Sequence, residues 1–164
     1  MRVLLYSLLL PLSLIVPACS PQAAENTPAA APSQPSVHPV SGLPVVPLTV
    51  TTPGGSAHAF RVEVARTQQE QAKGLMFRTA MGPDEGMIFP YTPPQSVAFW
   101  MKNTVLALDI VFVGADHRVV NIAANATPYS EQSLPSAAPV SGVLELNAGR
   151  AKELGIVAGS KVDW

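Results

Sequence analysis

A period-two alternation of apolar and polar residues is the feature that most restricts what this chain can fold into. The clearest case is the stretch FRVEVA, in which Phe60, Val62 and Val64 alternate with polar or small residues. This period places the apolar side chains on one face of a β-strand. A Pro-Gly-Gly turn (residues 53–55) separates it from the β-branched segment VPLTVTT, so the two segments are predicted to form a hairpin.

Further strand-like segments follow up to the C-terminal region. They are GMIF (86–89), SVAFWM (96–101), LALDIVFV (106–113), RVVNIA (118–123) and VSGVLELNA (140–148). The Pro-rich segment 90–94 is predicted to be a loop. A capping box of Thr67 and Glu70 predicts a short helix ending at Gly74, and a second is expected between Asn147 and Gly155. The predicted fold is mainly β: a compact antiparallel barrel or sandwich with two short helices.

The first sixty residues have a different composition from the rest. They hold ten of the 17 prolines, and their only residues of the Asp, Glu, Lys and Arg types are Arg2 and Glu25. The chain begins with one cation followed by the apolar run 3–16. The run is too short to span a bilayer comfortably and is interrupted by a proline. This arrangement is typical of a secretory signal. Residues 1–18 are therefore predicted to be a signal peptide and the protein to be exported.

Cys19 is the only cysteine, so no internal disulfide can form. The segment Val16-Pro17-Ala18-Cys19 resembles the lipobox of bacterial lipoproteins, which predicts lipidation of Cys19 and a membrane anchor. Plain cleavage after Ala18 is the alternative. Ser20 resembles outer-membrane sorting, so the expected location is the periplasm, anchored to the outer membrane.

The domain boundaries follow from these observations. Residues 19–44 are predicted to be a lipidated cysteine and a disordered tether rich in Pro, Ala and Ser, and residues 45–164 a single β-rich domain. The net charge of −1 gives no electrostatic reason to expect nucleic acid as a partner. The expected partners are the membrane and an unknown small molecule or envelope protein.

Three carboxylates lie inside apolar strand segments: Glu63, Asp109 and Glu145. An acid at such a position either faces solvent or needs a buried partner, and pairing is the favoured interpretation for Asp109 and Glu145. The candidate partners are Arg78, Lys102 and Asn103. No second cysteine, phosphate loop, nucleophile elbow or His-Glu-x-x-His motif occurs, so the chain carries none of the common catalytic signatures.

Methionines form a second cluster in the sequence. Met76, Met81, Met87 and Met101 are close along the chain, and thioethers can bind Cu(I), with His58 and Trp100 as further candidates. Methionine as a filler of irregular core gaps is the favoured interpretation. No cofactor is predicted.

One family resemblance covers residues 60–164. The segments VEVARTQQEQAKGLMFR, GMIF, FWMKNT, LDIVFV and VLELNAG together resemble the domain of unknown function 192. GLMFR and FWMKNT are the most specific of them. The resemblance implies a compact, mainly β fold and supplies no activity, substrate or residue role.

The sequence therefore predicts a binding or accessory module of the cell envelope, and more weakly an enzyme. Its candidate patch residues, beside apolar walls, are Arg78, Trp100, Lys102, Asn103, Asp109, Glu145 and Glu63. Alternation assigns Phe99 and Met101 to the core. One alternative is a hydrolase with Asp109 and Glu145 as acid and base. The others are a Cu(I)-binding protein and a domain that recognises a protein partner through Trp100.

Overall fold

The computed structural model describes residues 36–164. The strands are β1 (Ser36–Val37), β2 (Pro44–Thr51), β3 (Ala57–Val64), β4 (Glu85–Gln95), β5 (Ala98–Phe99), β6 (Leu108–Gly114), β7 (Val119–Ala126), β8 (Leu134–Pro135), β9 (Val140–Asn147) and β10 (Lys161–Asp163). The helices are α1 (Gln68–Lys73) and α2 (Arg150–Glu153).

Eight of these strands form one sheet. Its order is β1-β2-β3-β4-β9-β6-β7, and β10 also pairs with β2. All neighbours are antiparallel except β3 and β4, whose parallel pairing requires a crossover connection that contains α1. Strands β5 and β8 form a separate pair. The mainly β fold with two short helices is confirmed, and its architecture is sandwich-like rather than a closed barrel.

The central strands β4, β9 and β6 are buried on both faces. Ile88, Leu144 and Val111 belong to one apolar cluster, whereas the residues that precede them, Met87, Val143 and Ile110, belong to another. Because successive strand residues point to opposite faces, the two clusters lie on opposite sides of the sheet. All seven residues of β6 are buried, as expected for a strand covered on both faces.

Local signals predicted one hairpin turn and one helix cap. The hairpin at residues 53–55 forms, and in α1 Thr67 accepts from the amide of Glu70 while the Glu70 carboxylate accepts from the amide of Thr67. The second helix differs from its prediction, because its N-cap is Gly149 in a left-handed conformation (φ 83°). The side chain of Asn147 instead donates to the carbonyls of Met81 and Gly82.

Two predicted boundaries also differ. The Pro-rich segment 90–94 continues β4 across a register shift, so it is not a loop outside the sheet. Ser36 and Val37, expected in the disordered tether, pair with Val45 and Pro44 of β2, so ordered chain begins before residue 45. The signal peptide, Cys19 and the rest of the tether lie outside the described residues. None of the helices within residues 36–164 is long and apolar enough to cross a membrane.

Candidate functional site

Two buried acids lie on the same face of the sheet, in one cross-strand row. The register pairs Glu63 of β3 with Met87 of β4, and Met87 with Glu145 of β9. Paired residues project to the same face, so Met87 lies between the two acids. With neighbouring strands about 4.8 Å apart, the backbones that carry the acids are roughly 10 Å apart.

Glu63 is fully partnered. Its side chain is 4% exposed, and both carboxylate oxygens lie 2.9 Å from Nη2 of Arg78. The hydroxyl of Ser41 donates to Glu63 Oε2, and Nε2 of His38 lies 3.7 Å from Oε1. Glu63 and Arg78 therefore form a buried ion pair that ties the segment after α1 to β3, with His38 and Ser41 as additional contacts.

Glu145 has no such partner. The residue is 5% exposed, and its buried Oε2 receives no hydrogen bond within the part of the chain that the structure describes. Burial raises the pKa of Glu145 to about 8 because the ionised form loses its hydration. At neutral pH the carboxyl is therefore mostly protonated. The predicted pairing of Glu145 with a cation is wrong, since Arg78 is paired with Glu63.

A pocket of about 330 Å³ opens beside this carboxyl. We call it the Glu145 pocket. It is lined by Gln71, Ala72, Lys73, Gly74, Leu75, Met76, Phe89, Tyr91, Ala98, Phe99, Trp100, Thr104 and Glu145. Polar atoms contribute nearly as much of this lining as apolar atoms do. Apolar walls combined with convergent polar groups are the usual character of a small-molecule site.

Aromatic side chains form much of the wall. Phe89 and Phe99 meet edge to face with ring centroids 5.1 Å apart, and Phe99 meets Phe112 of the core in the same way at 6.1 Å. This chain of contacts anchors the wall in the core. Burial, with a smaller contribution from the negative charge of Glu145, raises the pKa of Tyr91 to about 12. Tyr91 therefore stays a neutral hydroxyl beside the carboxyl.

The segment FWMKNT supplies one side of the opening. Met101 is buried and Phe99 is partly buried against the same core cluster, as alternation predicted. Trp100 is 47% exposed, and Nζ of Lys102 lies 5.1 Å from its ring centroid. Lys102 also lies 3.8 Å from the carboxylate of Glu131. Trp100 therefore lies at the rim of the pocket with a cation already on its ring.

Asn103 helps to position the other side of the opening. Its φ is 53°, a left-handed conformation that Asn tolerates better than most residues. Its carbonyl accepts from the amide of Phe77, and its Nδ2 lies 3.9 Å from the sulfur of Met76. Asn103 thus joins the FWMKNT segment to the chain that follows α1.

Asp109 lies away from this pocket. It pairs with Leu146 in the sheet, whereas the neighbouring Glu145 pairs with Ile110, so the two acids project to opposite faces. Asp109 is fully buried, and it accepts from the amides of Asn125 (2.8 Å) and Ala151 (2.9 Å). Its partners are backbone groups rather than the predicted cations. Asp109 and Glu145 therefore do not form an acid–base pair around one substrate.

The methionines lie mainly in the core. Met87 and Met101 are fully buried, and Met76 lines the Glu145 pocket. His58 follows the alternation of Phe60 and Val62, so it projects to the face opposite Met87. Within residues 36–164, no group of three His, Cys, Asp or Glu side chains is arranged to hold a metal ion. This geometry gives no support to the copper alternative.

Three contributors to the site were missed from the sequence. Tyr91 and Phe89 continue the period-two row of Met87 along β4, a signal that the prolines of the segment concealed. His38 falls in the segment predicted to be a disordered tether, yet its ring lies 3.2 Å from Nη1 of Arg78. No local pattern could have predicted that contact, because forty residues separate the two side chains.

Comparison with known proteins identifies the family. The family model for DUF192, described as an uncharacterised conserved group, matches residues 49–164. The chain belongs to the DUF192 family. Among curated proteins, none matches this chain.

Two solved DUF192-like structures share the fold. A protein of unknown function from Novosphingobium aromaticivorans is 61% identical, with a TM-score of 0.78, over 80% of this chain and 94% of its own. A Sinorhizobium meliloti protein, described as a candidate transcription regulator, is 39% identical with a TM-score of 0.72, over 74% of this chain and 94% of its own. These relatives support the family and the fold of the present DUF192 chain and provide no established activity.

Proposed function

We propose that this DUF192 protein is a ligand-binding module of the bacterial cell envelope and that the Glu145 pocket is its binding site. The observation that carries the proposal is the buried carboxyl whose Oε2 has no hydrogen-bond partner within the described chain and which lines an aromatic hollow. An unsatisfied buried polar atom costs about 1–3 kcal/mol, and a ligand that donates a hydrogen bond to it would recover that energy.

The envelope location is proposed from the sequence alone. The cationic start, the short apolar run and Cys19 support export and lipidation. The Pro-rich residues after Cys19 would give the domain reach from a membrane surface. A binding domain on such a tether would meet its ligands in the periplasm.

Ligand-detected and protein-detected NMR with small aromatic fragments, neutral and charged, test the site. We expect shifts of amide resonances that cluster at Gly74, Met76, Trp100 and Thr104, which line the pocket. Ala72→Trp, which places a bulky ring at the pocket wall, should abolish these shifts. Ala57→Trp is the matched control because Ala57 is also exposed but lies on β3 outside this lining. Equal shifts in both variants, or shifts elsewhere, would overturn the assignment.

A further inference from the structure

The chemistry of the Glu145 pocket narrows the class of ligand, and this inference rests on the proposed function. We propose that the pocket binds a small primary amine in its ammonium form, with the amine on an apolar body. The ammonium would donate to Glu145, and the body would lie against Phe89, Phe99 and Trp100.

The carboxyl favours an N–H donor that also carries charge. A neutral donor would satisfy Oε2 with one hydrogen bond, whereas an ammonium adds an ion pair with a carboxylate that is only 5% exposed. Hydrogen bonds between charged partners are roughly twice as strong as neutral ones. A quaternary ammonium carries the charge but has no N–H, so it would leave Oε2 without a donor.

The aromatic wall favours a cation as well. The faces of Trp, Tyr and Phe rings attract cations within about 6 Å, and the attraction grows when water is excluded. Trp100 already has the ammonium of Lys102 on its ring at 5.1 Å. At the rim, the Trp100 ring therefore already contacts an alkyl ammonium, that of Lys102. Phe89 and Phe99 offer similar rings deeper in the pocket.

Binding of an ammonium would release one proton. In the free pocket the carboxyl is protonated at neutral pH, since burial raises the pKa of Glu145 to about 8. In the complex the O–H bond of the carboxyl is broken, its proton goes to solvent, and the ammonium keeps all its hydrogens. Affinity should therefore rise about tenfold per pH unit up to about pH 8 and level off above it.

The other charged or titratable groups around Glu145 do not account for the expected rise of affinity with pH up to about pH 8. They are Tyr91, Lys73, Lys102 and the ion pair of Glu63 with Arg78. Tyr91 stays neutral because its pKa is raised to about 12. Lys73 and Lys102 lie toward the exposed edge, where solvent screens their charge. Arg78 already neutralises Glu63.

Calorimetric titration of the full-length protein, between about pH 6 and about pH 9, tests the proposal with three probes. They are benzylamine, benzyl alcohol and benzyltrimethylammonium. We expect the benzylamine affinity to rise about tenfold per pH unit up to about pH 8 and to level off above it, with close to one proton released per ligand bound below that pH. Buffers of different ionisation enthalpy report that proton.

The decisive variant is Glu145→Gln, which keeps the size of the side chain and cannot ionise. It should lose at least ~10-fold of the benzylamine affinity at about pH 8 and the pH slope, and it should keep the benzyl alcohol affinity within about twofold. Glu153→Gln is the matched control, because Glu153 is exposed on α2 and pairs with Arg150. It should behave as the wild type does.

The outcomes separate this inference from the proposed function. Benzyl alcohol or benzyltrimethylammonium bound as tightly as benzylamine at every pH would overturn the amine proposal and leave the pocket as a binding site. Benzylamine affinity unchanged by Glu145→Gln would also overturn it. Failure of all three probes, together with failure of the fragments tested by NMR, would overturn both proposals.

Discussion

At the scale of single residues, two acids of one cross-strand row have opposite environments. Glu63 is held by Arg78, whereas Glu145, on the far side of Met87, receives no hydrogen bond at Oε2 from the described chain. Breaking a buried ion pair by removing one partner costs about 3–5 kcal/mol, so Glu63 is expected to be structural. A protonated carboxyl in an aromatic pocket has no such structural explanation, which is why Glu145 is the better candidate for binding.

The raised pKa of Glu145 predicts a pH dependence of stability. Between the ordinary value of 4.5 and about 8 the unfolded chain loses this proton while the folded protein keeps it. The folded state binds more protons, so the free energy of unfolding should fall by roughly 1.4 kcal/mol per pH unit from this group across that window. Urea unfolding at a series of pH values measures the slope.

Glu145→Gln removes the titrating group and keeps a neutral side chain of the same size. The variant should unfold with a shallower dependence on pH between about 5 and about 8, and it should be the more stable protein at the alkaline end. Glu153→Gln, on the surface of α2, should retain the wild-type slope. Identical slopes in all three proteins would show that Glu145 ionises normally in the folded state.

Sequence alone identified these acids but not their partners. An acid inside an apolar strand segment must face solvent or find a partner. That reasoning left both possibilities open for Glu63, which pairs with Arg78, and favoured pairing for Asp109, whose partners are backbone amides rather than cations. It was wrong for Glu145, because the candidate cation Arg78 pairs with Glu63 instead. Which strand the side chain of a loop residue contacts depends on the order of the strands in the sheet. No local sequence pattern predicts the parallel pairing of β3 with β4.

At the scale of elements, Asp109 joins three parts of the fold. From β6 it accepts from the amide of Asn125 in β7 and from the amide of Ala151 in the first turn of α2. Gly149, the N-cap, contributes no side-chain hydrogen bond, so the carboxylate of Asp109 acts as the cap from a distant strand. Its burial inside LDIVFV is therefore explained by packing and not by catalysis.

Replacing Asp109 tests this structural role. Asp109→Asn places an amide nitrogen where one of two backbone N–H groups now donates, so we expect a loss of roughly 3 kcal/mol in the free energy of unfolding. Hydrogen exchange at the amides of Asn125 and Ala151 should become faster. Asp163→Asn is the control, since that half-exposed side chain pairs with the exposed Lys161 and its replacement should change stability by less than about 0.5 kcal/mol. A native-like Asp109→Asn would contradict the assigned role.

Elements with strong local signals were predictable, and elements defined by pairing were not. The Thr67–Glu70 capping box and the Pro-Gly-Gly hairpin form as their residue types require. The segment SVAFWM has the composition of a strand, yet only Ala98 and Phe99 pair, with β8, because the chain then turns at Lys102 and Asn103. Its alternation still correctly assigned Met101 to the core and Trp100 to the surface. Successive side chains of an extended segment point to opposite sides even where the backbone is not hydrogen-bonded to a neighbouring strand.

At the scale of the whole molecule, one folded domain follows a segment with the features of a lipoprotein signal. Cys19 is the expected anchor, and the described fold begins by Ser36, so fewer residues are left for the tether than the sequence suggested. Sixteen residues (20–35) lie between Cys19 and Ser36. At about 3.1 Å per residue, a fully extended tether of this length would span roughly 50 Å.

Cys19→Ser tests the anchor. If lipidation holds the protein at a membrane, the variant should move from the membrane fraction to the soluble periplasmic fraction, because a single signal without acyl chains leaves no stable anchor. Cell fractionation with immunoblotting measures the distribution, and Ser20→Ala, which keeps the cysteine, is the control for membrane association. Retention of Cys19→Ser in the membrane fraction would refute the lipid anchor.

The pairing of β10 with β2 has a consequence for biosynthesis. Thr49–Thr51 of β2 pair with β3 along one edge, and along the other edge they pair with Lys161–Asp163, near the other end of the domain. During translation the sheet cannot be completed until residues 161–163 have emerged, and contacts this distant in sequence form slowly. If the protein is exported as proposed, this delay would favour passage through a secretion channel, because the sheet stays incomplete until almost the entire domain has been made.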